Sequence, residues 1–332
     1  MKRSWKIAFR VVAVLVVVAC AVFMWNLTQP PAPARLVAPG PTGQRIDAGG
    51  ILANYYPAKS AGNNPAILLL GGSEGGLGKD ARQQAVLLQE QGFNILQLAY
   101  HNAPGKSAKL EEIPLEEFYR GLDWLKQQSG VDASRLAIVG YSKGAEAGLL
   151  VATRYPGIRA VVLGMPSSVV WDGMSGVNYI FGSFSSSWSE KGRSVPHLAY
   201  KGFPDKTGLL PVFVNGLKEL SKNQPAIIPV EQFKGKLMLV CGQDDTVWPS
   251  CPMTEQIVGR AKEKNGPHIV ALKYDNAGHG VMGAPFVDPK RRAYWSKLGG
   301  TQTGNAEARA DSWPKVTAFL KAELGLSKGS QQ

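Results

Sequence analysis

Leu136-Ala-Ile-Val-Gly140-Tyr-Ser142-Lys-Gly144-Ala-Glu146-Ala147 is the stretch from which the rest of the chain can be read. An apolar run, Leu136 to Val139, leads into Gly-x-Ser-x-Gly, and an Ala/Leu-rich run from Gly144 to Ala152 follows. That pattern is strand, sharp turn, helix. The turn lifts Ser142 to the top of a sheet, and the small residues on either side let strand and helix pass closely. The helix N-terminus beneath Ser142 adds partial positive charge, which favours an anionic oxygen there. In a chain with 38 glycines the five-residue pattern alone recurs by chance, so the readable strand and helix around it carry the weight.

Outward from this turn, the alternation continues. Ala66 to Leu70 is a short apolar run and reads as a buried strand, ending in Gly71-Gly-Ser73-Glu-Gly-Gly76. An entering strand is expected over Gly49 to Ala58, a helix over Asp80 to Gln91 and a strand over Asn94 to Ala99. A helix is expected over Pro114 to Gln128, with Leu115, Phe118, Leu122 and Leu125 on one face. Ala160 to Leu163, Lys236 to Cys241 and Ile269 to Tyr274 are further strands, and Ala306 to Leu324 is a closing helix. Strands alternating with helices imply an α/β fold, a mostly parallel central sheet with helices on both faces. Pro166 to Phe233 breaks the rhythm. Rich in Ser, Gly, Trp and Pro, it is expected to form a cap-like insertion over the active site.

The 332 residues, 44% of them apolar, suffice for one catalytic domain over about residues 45–326. The net charge of +12 includes Lys2, Arg3, Lys6 and Arg10, which fall in residues 1–34 and leave +8 beyond them. The other cations are scattered with no aromatic-interleaved basic stripe, which argues against a nucleic-acid partner. A basic stretch followed by an apolar run from Val11 to Trp25 reads as a signal peptide or membrane anchor, with a Pro/Ala-rich tether to about residue 41. The chain is therefore expected to be exported, periplasmic or extracellular, or held at the membrane by this segment. Beyond Cys20 in the leader, Cys241 and Cys251 stand ten apart, suited to a disulfide in an oxidising compartment or to two buried thiols.

A serine hydroxyl is a weak nucleophile until a base accepts its proton, and that base is oriented by a carboxylate. In this fold the chain order is Ser, acid, His. His101 precedes Ser142, His197 precedes any suitable acid, and His268 lies at the wrong end of the last strand. His279, directly after that strand, is the expected base. The acid falls on Asp245, with Asp244 as the alternative, after the strand ending at Gly242. Oxyanion donors are expected from the backbone N–H of Lys143 and from Gly72 or Ser73; the Lys143 side chain is expected to point away from the turn. The Gly-rich loop lacks a closing Gly-Lys-Ser/Thr and is not a phosphate loop. Neither a metal nor another cofactor is expected.

From about Leu68 onward the chain resembles the C-terminal catalytic domain shared by acyl-CoA thioester hydrolases and bile acid-CoA:amino acid N-acyltransferase. The resemblance rests on Gly71-Gly-Ser-x-Gly-Gly76, Gly140-x-Ser-Lys-Gly-Ala-Glu146, Ile228-Pro-Val-Glu231 and Gly242-Gln-Asp-Asp-x-x-Trp248-x-Ser250. Gly278-His279, and Gly299-Gly300 followed by Ala308 to Trp313 and Phe319, complete it. It implies a small-molecule acyl thioester or ester as substrate, and a nucleophile, acid and base at Ser142, the Asp244/Asp245 pair and His279. The family's nucleophile is Ser in the hydrolases and Cys in the acyltransferase, so Ser142 implies hydrolysis. Eukaryotic members carry a β-sandwich before the catalytic domain, where this chain has a tether and room for one or two strands. CoA thioesters are cytoplasmic metabolites, whereas the leader implies export.

Overall fold

The structure, a computed structural model, describes residues 2–29, 32, 34, 36–174, 185–206 and 208–326. The N-terminal helix α1 (Lys2–Thr28) contains the apolar window Phe9–Asn26, of mean hydropathy 2.2, long enough to cross a membrane by length and composition. The body is built on one eight-stranded sheet ordered β1-β2-β4-β3-β6-β7-β10-β11. Its strands are β1 (Gln44–Ala48), β2 (Ile51–Tyr56), β3 (Asn64–Leu70), β4 (Asn94–Ala99), β6 (Val131–Tyr141), β7 (Ile158–Gly164), β10 (Lys236–Gly242) and β11 (Ile269–Tyr274). From β4 to β11 every neighbouring pair is parallel, and β1 and β2 close one edge antiparallel. The entering strand expected over Gly49 to Ala58 is thus half of a hairpin. Gly49 and Gly50 form its turn with φ of +60° and +75°, backbone that glycine adopts without strain.

Parallel strands buried on both faces send alternate residues to two cores. Leu68, Leu70, Leu96, Leu98 and Ile138 meet Phe118, Leu122 and Leu125 of α3 (Glu116–Lys126) and Leu149 of α4 (Lys143–Ala152). Ile67, Leu69, Ile95 and Val139 meet Ala85 and Leu88 of α2 (Lys79–Glu90) and Val316 and Leu320 of the closing helix (Gln302–Glu323). Each fully buried Leu or Ile contributes about 1.5–3 kcal/mol, so these two layers dominate the stability of the body. The closing helix starts before the expected Ala306 because the Thr301 side chain caps it, accepting from Gly304 N–H at 2.8 Å.

Between β7 and β10, residues 166–174, 185–206 and 208–233 are described; the rest of the expected insertion, and residues 30, 31, 33 and 35 of the expected tether, lie outside the described residues. This region holds β8 (Trp188–Glu190) and β9 (Arg193–Ser194), which form a small sheet with β5 (Ile113–Pro114) from the segment before α3. It also holds α5 (Leu210–Leu217). Trp171, Tyr200 and Phe213 from this region pack with Trp248 into a separate apolar cluster at the carboxyl end of the sheet. Among the described residues after β10, the α-helices are α6 (Ser250–Glu263), α7 (Pro289–Trp295) and the closing helix, α8.

Candidate active site

Ser142 stands between β6 and α4 with φ +53° and ψ −119°, a conformation that costs a non-glycine residue free energy and that the surroundings must enforce. Its N–H is held by the Gly164 carbonyl at 3.0 Å. The neighbouring glycines are sterically required. A Cβ at Gly144 would lie 2.0 Å from the Gly71 oxygen, and one at Gly140 would lie 2.3 Å from the Gly144 oxygen. The small residues of the motif therefore set how closely β6, α4 and the Gly71 loop approach.

The loops after β6, β10 and β11 bring three side chains together at the carboxyl end of the sheet. His279 Nε2 is 2.9 Å from Ser142 Oγ, and His279 Nδ1 is 2.9 Å from Asp245 Oδ2. Asp245 Oδ1 also accepts from the N–H groups of Val247 at 2.9 Å and Trp248 at 3.3 Å, which fixes the carboxylate plane. Asp245 and His279 are buried, whereas Asp244 is exposed. An ionised Asp245 keeps the Nδ1 proton on its side, leaving Nε2 to accept from the Ser142 hydroxyl. Trp248 stands edge-on to the imidazole, 5.9 Å between ring centres.

The two loops carrying Asp245 and His279 are fastened together. Asp245 bridges to Gly299 and Ala277 bridges to Gly300, and His279 N–H donates to the Leu298 carbonyl at 3.0 Å. Only glycine fits this junction, since a Cβ at Gly278 would lie 2.1 Å from the Gly299 carbonyl carbon. The Asp245 loop is further closed by a Cys241–Cys251 disulfide joining the end of β10 to the start of α6.

The remaining sequence candidates fall around Ser142. Gly72 flanks it, and a Cβ there would lie 3.4 Å from Ser142 Cβ. The Gly72 N–H is turned toward the Glu74 carboxylate, while the N–H groups of Ser73 and Lys143 have no acceptor among the described residues. His101 sits after β4 with Nε2 3.1 Å from the Ser73 carbonyl, His197 lies in the region between β7 and β10, and His268 is exposed before β11.

The Lys143 side chain departs from expectation in its surroundings: it runs into the protein. Its Nζ donates to Glu146 Oε2 and to Ser187 Oγ, both at 2.7 Å. Glu146 Oε1 accepts from Trp188 Nε1 at 2.8 Å and from Trp171 N–H at 3.1 Å. Both charges are buried. Desolvation pushes the Glu146 carboxyl up and the Lys143 ammonium down, and each opposes the other's shift. Neither the pair nor its partners between residues 171 and 188 is apparent in the sequence; the signal lay in Lys-Gly-Ala-Glu, whose charges are three apart on one helix face.

Ser142 and His279 open onto a cavity of about 500 Å³. Its lining includes the apolar Met165, Met174, Leu209, Phe213, Met282 and Leu298, and also Lys79, Asp80, Arg291, Tyr294, Trp295 and Arg309. Arg291 is paired with Asp80. Arg309 donates to the carbonyls of Gly280 and Ala284 and stacks on Phe286; burial lowers its pKa to about 10, so it stays cationic at neutral pH. The cavity lining thus combines apolar side chains with charges of both signs. Among the described residues, no group of three or more His, Cys, Asp or Glu side chains is arranged to hold a metal ion.

A twisted, mostly parallel sheet covered on both faces, with a serine on a strained strand-to-helix turn at its carboxyl end, defines an α/β-hydrolase fold. Solved structures share it: a dienelactone hydrolase-like promiscuous phosphotriesterase from metagenomic libraries, with a TM-score of 0.52 over 85% of this chain and 98% of that one at 15% identity. An acylaminoacyl peptidase of Pyrococcus horikoshii gives a TM-score of 0.55 over 87% of this chain and 42% of that one at 14% identity. Within the class, the chain belongs to the BAAT/acyl-CoA thioester hydrolase C-terminal family, whose model matches residues 113–326. It is 27% identical over 303 residues to mitochondrial acyl-coenzyme A thioesterase 2 of Mus musculus, covering 88% of this chain and 62% of that protein. It is 26% identical over 295 residues to the bile acid-CoA:amino acid N-acyltransferase of Homo sapiens, covering 87% and 66%. The chain thus spans less than two thirds of the length of these two relatives.

Proposed function

We propose that this protein is a serine hydrolase that cleaves an acyl thioester or ester through an acyl-enzyme on Ser142, outside the cytoplasm or anchored in the membrane. The observation that carries this reading is the hydrogen-bonded series Ser142 Oγ, His279, Asp245, whose first two members line a cavity with apolar and charged walls. In the first step His279 Nε2 takes the Ser142 proton as Oγ attacks the acyl carbonyl, and Asp245 stabilises the imidazolium. The oxyanion is met by the Lys143 N–H at the start of α4 and by the Ser73 N–H, with the bare Gly72 backbone allowing close approach; removing such a donor costs about 3–4 kcal/mol of transition-state stabilisation. The imidazolium then protonates the departing thiolate or alkoxide. Water, deprotonated by His279, attacks the acyl-enzyme carbonyl, and collapse returns the proton to Ser142 and releases the acid. The apolar walls suit an acyl chain, and family membership favours a thioester. The apolar helix α1 and the Cys241–Cys251 disulfide support export or anchoring.

The test is hydrolysis of a panel of acyl-CoA thioesters and simple oxyesters by the wild-type chain and Ser142→Ala, with fluorophosphonate labelling of both. Label on the wild type alone, with turnover lost in the variant, is expected. Full activity in Ser142→Ala would sink the reading. An added amine that diverts the acyl group from water would make transfer, as in the N-acyltransferase's name, the better description.

A further inference from the structure

Outside α1, the large hydrophobic side chains exposed among the described residues are Phe203, Val214, Val287 and Tyr294. Single exposed apolar residues are ordinary, but each of these four lies on a chain segment that reaches the cavity or packs on one that does. Tyr294 lines the cavity. Val287, 85% exposed, follows Phe286, the ring that packs on cavity-lining Arg309. Val214 follows cavity-lining Phe213 on α5, and Phe203, 70% exposed, follows Gly202, which lies against Asn215 of the same helix. The segments around the cavity therefore expose apolar side chains, and with them Lys79, which lines it, and Lys290, the chain neighbour of cavity-lining Arg291.

A second, independent observation concerns the route of the chain. α1 ends at Thr28, and the Ala32 carbonyl already accepts from Asn102 Nδ2 at 3.1 Å, while Ala34 N–H donates to the Asn102 carbonyl at 3.1 Å. Asn102 follows β4 at the carboxyl end of the sheet, beside the Gly71–Gly76 loop, to which Tyr100 N–H donates at the Gly75 carbonyl. Four residues of extended chain reach at most about 14 Å. The membrane-length helix is therefore leashed to the same end of the sheet that bears Ser142.

We propose that the rim of the cavity rests on the anionic surface of the bilayer in which α1 is held, so that an amphiphilic acyl substrate enters the cavity from the lipid phase. This rests on the hydrolase reading for the substrate's chemistry, though not for the docking itself. Phe203 and Val287 are the side chains placed to dip below the headgroups, and Lys79 and Lys290 face anionic headgroups.

The test uses the full chain carrying Cys20→Ser, reconstituted in vesicles of phosphatidylcholine and phosphatidylglycerol. A nitrobenzoxadiazole label is placed through Val287→Cys and, as reference, through Asn63→Cys, an exposed site before β3 at the opposite end of the sheet. Blue-shifted emission and quenching by brominated lipid at Val287 but not at Asn63 is expected. No quenching at Val287, or equal quenching at both, overturns the proposal. This readout needs no turnover, so it fails or succeeds separately from the role of Ser142. Phe203→Ser/Val287→Ser should lower turnover of a bilayer-dissolved long-chain ester several-fold and leave a short water-soluble ester unchanged; equal effects on both substrates would also overturn it.

Discussion

Lys143 Nζ lies 2.7 Å from Glu146 Oε2, one helical turn past Ser142, with both side chains withdrawn from solvent. The pair does not stand alone. Ser187, Trp188 and the Trp171 backbone complete its hydrogen bonds, so it ties the start of α4 to the region between β7 and β10 that walls the cavity. Removing one charge strands the other in a medium that cannot solvate it. Glu146→Ala should cost about 3–5 kcal/mol in urea unfolding. The double variant Lys143→Met/Glu146→Leu should recover most of that loss. A single variant as stable as wild type would show that the pair is hydrated.

Asp245 and Asp244 can be separated by substitution. Asp245 is buried against the imidazole, and Asp244 is exposed. Asp245→Asn should lower kcat on a chromogenic ester by about 10⁴-fold through the wrong imidazole tautomer. Asp244→Asn should change it less than about twofold, within the range of surface substitutions. Comparable losses in both variants would mean that the acid is not assigned by this geometry.

The Cys241–Cys251 bond encloses the loop that carries Asp245. Cys241→Ala/Cys251→Ala should lose about 2–3 kcal/mol of stability, the chain-entropy value for so short a loop. Because the loop also holds the Asp245 carboxylate through the Val247 and Trp248 N–H groups, ester hydrolysis should fall with it. Chemical denaturation and kcat, measured on oxidised and reduced protein, check both parts.

His101 gives the fold an acid sensitivity. Burial, chiefly, lowers its pKa to about 4. The folded chain therefore resists protonation that the unfolded chain accepts near pH 6.5. Stability conferred by the neutral ring is complete above about pH 6.5 and is lost as pH falls toward 4, by roughly 3 kcal/mol for the whole shift at 1.36 kcal/mol per unit. Thermal unfolding between pH 7.5 and 4.5 should show a shallower acid decline in His101→Gln than in wild type. Identical slopes would remove His101 as the cause.

Much of the architecture is legible in the sequence because parallel strands buried on both faces are written as short apolar runs, as in Ala66 to Leu70 and Leu136 to Val139. The meeting of Ser142, Asp245 and His279 is legible from chain order and from glycines beside each loop. Other features are not. The burial of Lys143 and Glu146 is not written in their spacing, because charges three apart on a helix usually face solvent, and only the packing of Trp171 and Trp188 encloses them. The start of α6 at Ser250 is likewise not legible, since Pro252 in its first turn initiates a helix as readily as it interrupts one. The pairing of β5 with β8 joins segments 75 residues apart by two residues on each strand, too short a run to carry a pattern.

Gly299 and Gly300 have a mechanical consequence. They clip the loops of Asp245 and His279 together, and the same continuous piece of chain, residues 289–300, begins with α7, whose Arg291, Tyr294 and Trp295 border the cavity. The helix that borders the cavity and the clip between the Asp245 and His279 loops are one piece of chain. The spacing of Asp245 and His279 is therefore held by the same run of residues that sets one side of the cavity, so the position of α7 and the alignment of those two side chains are mechanically joined.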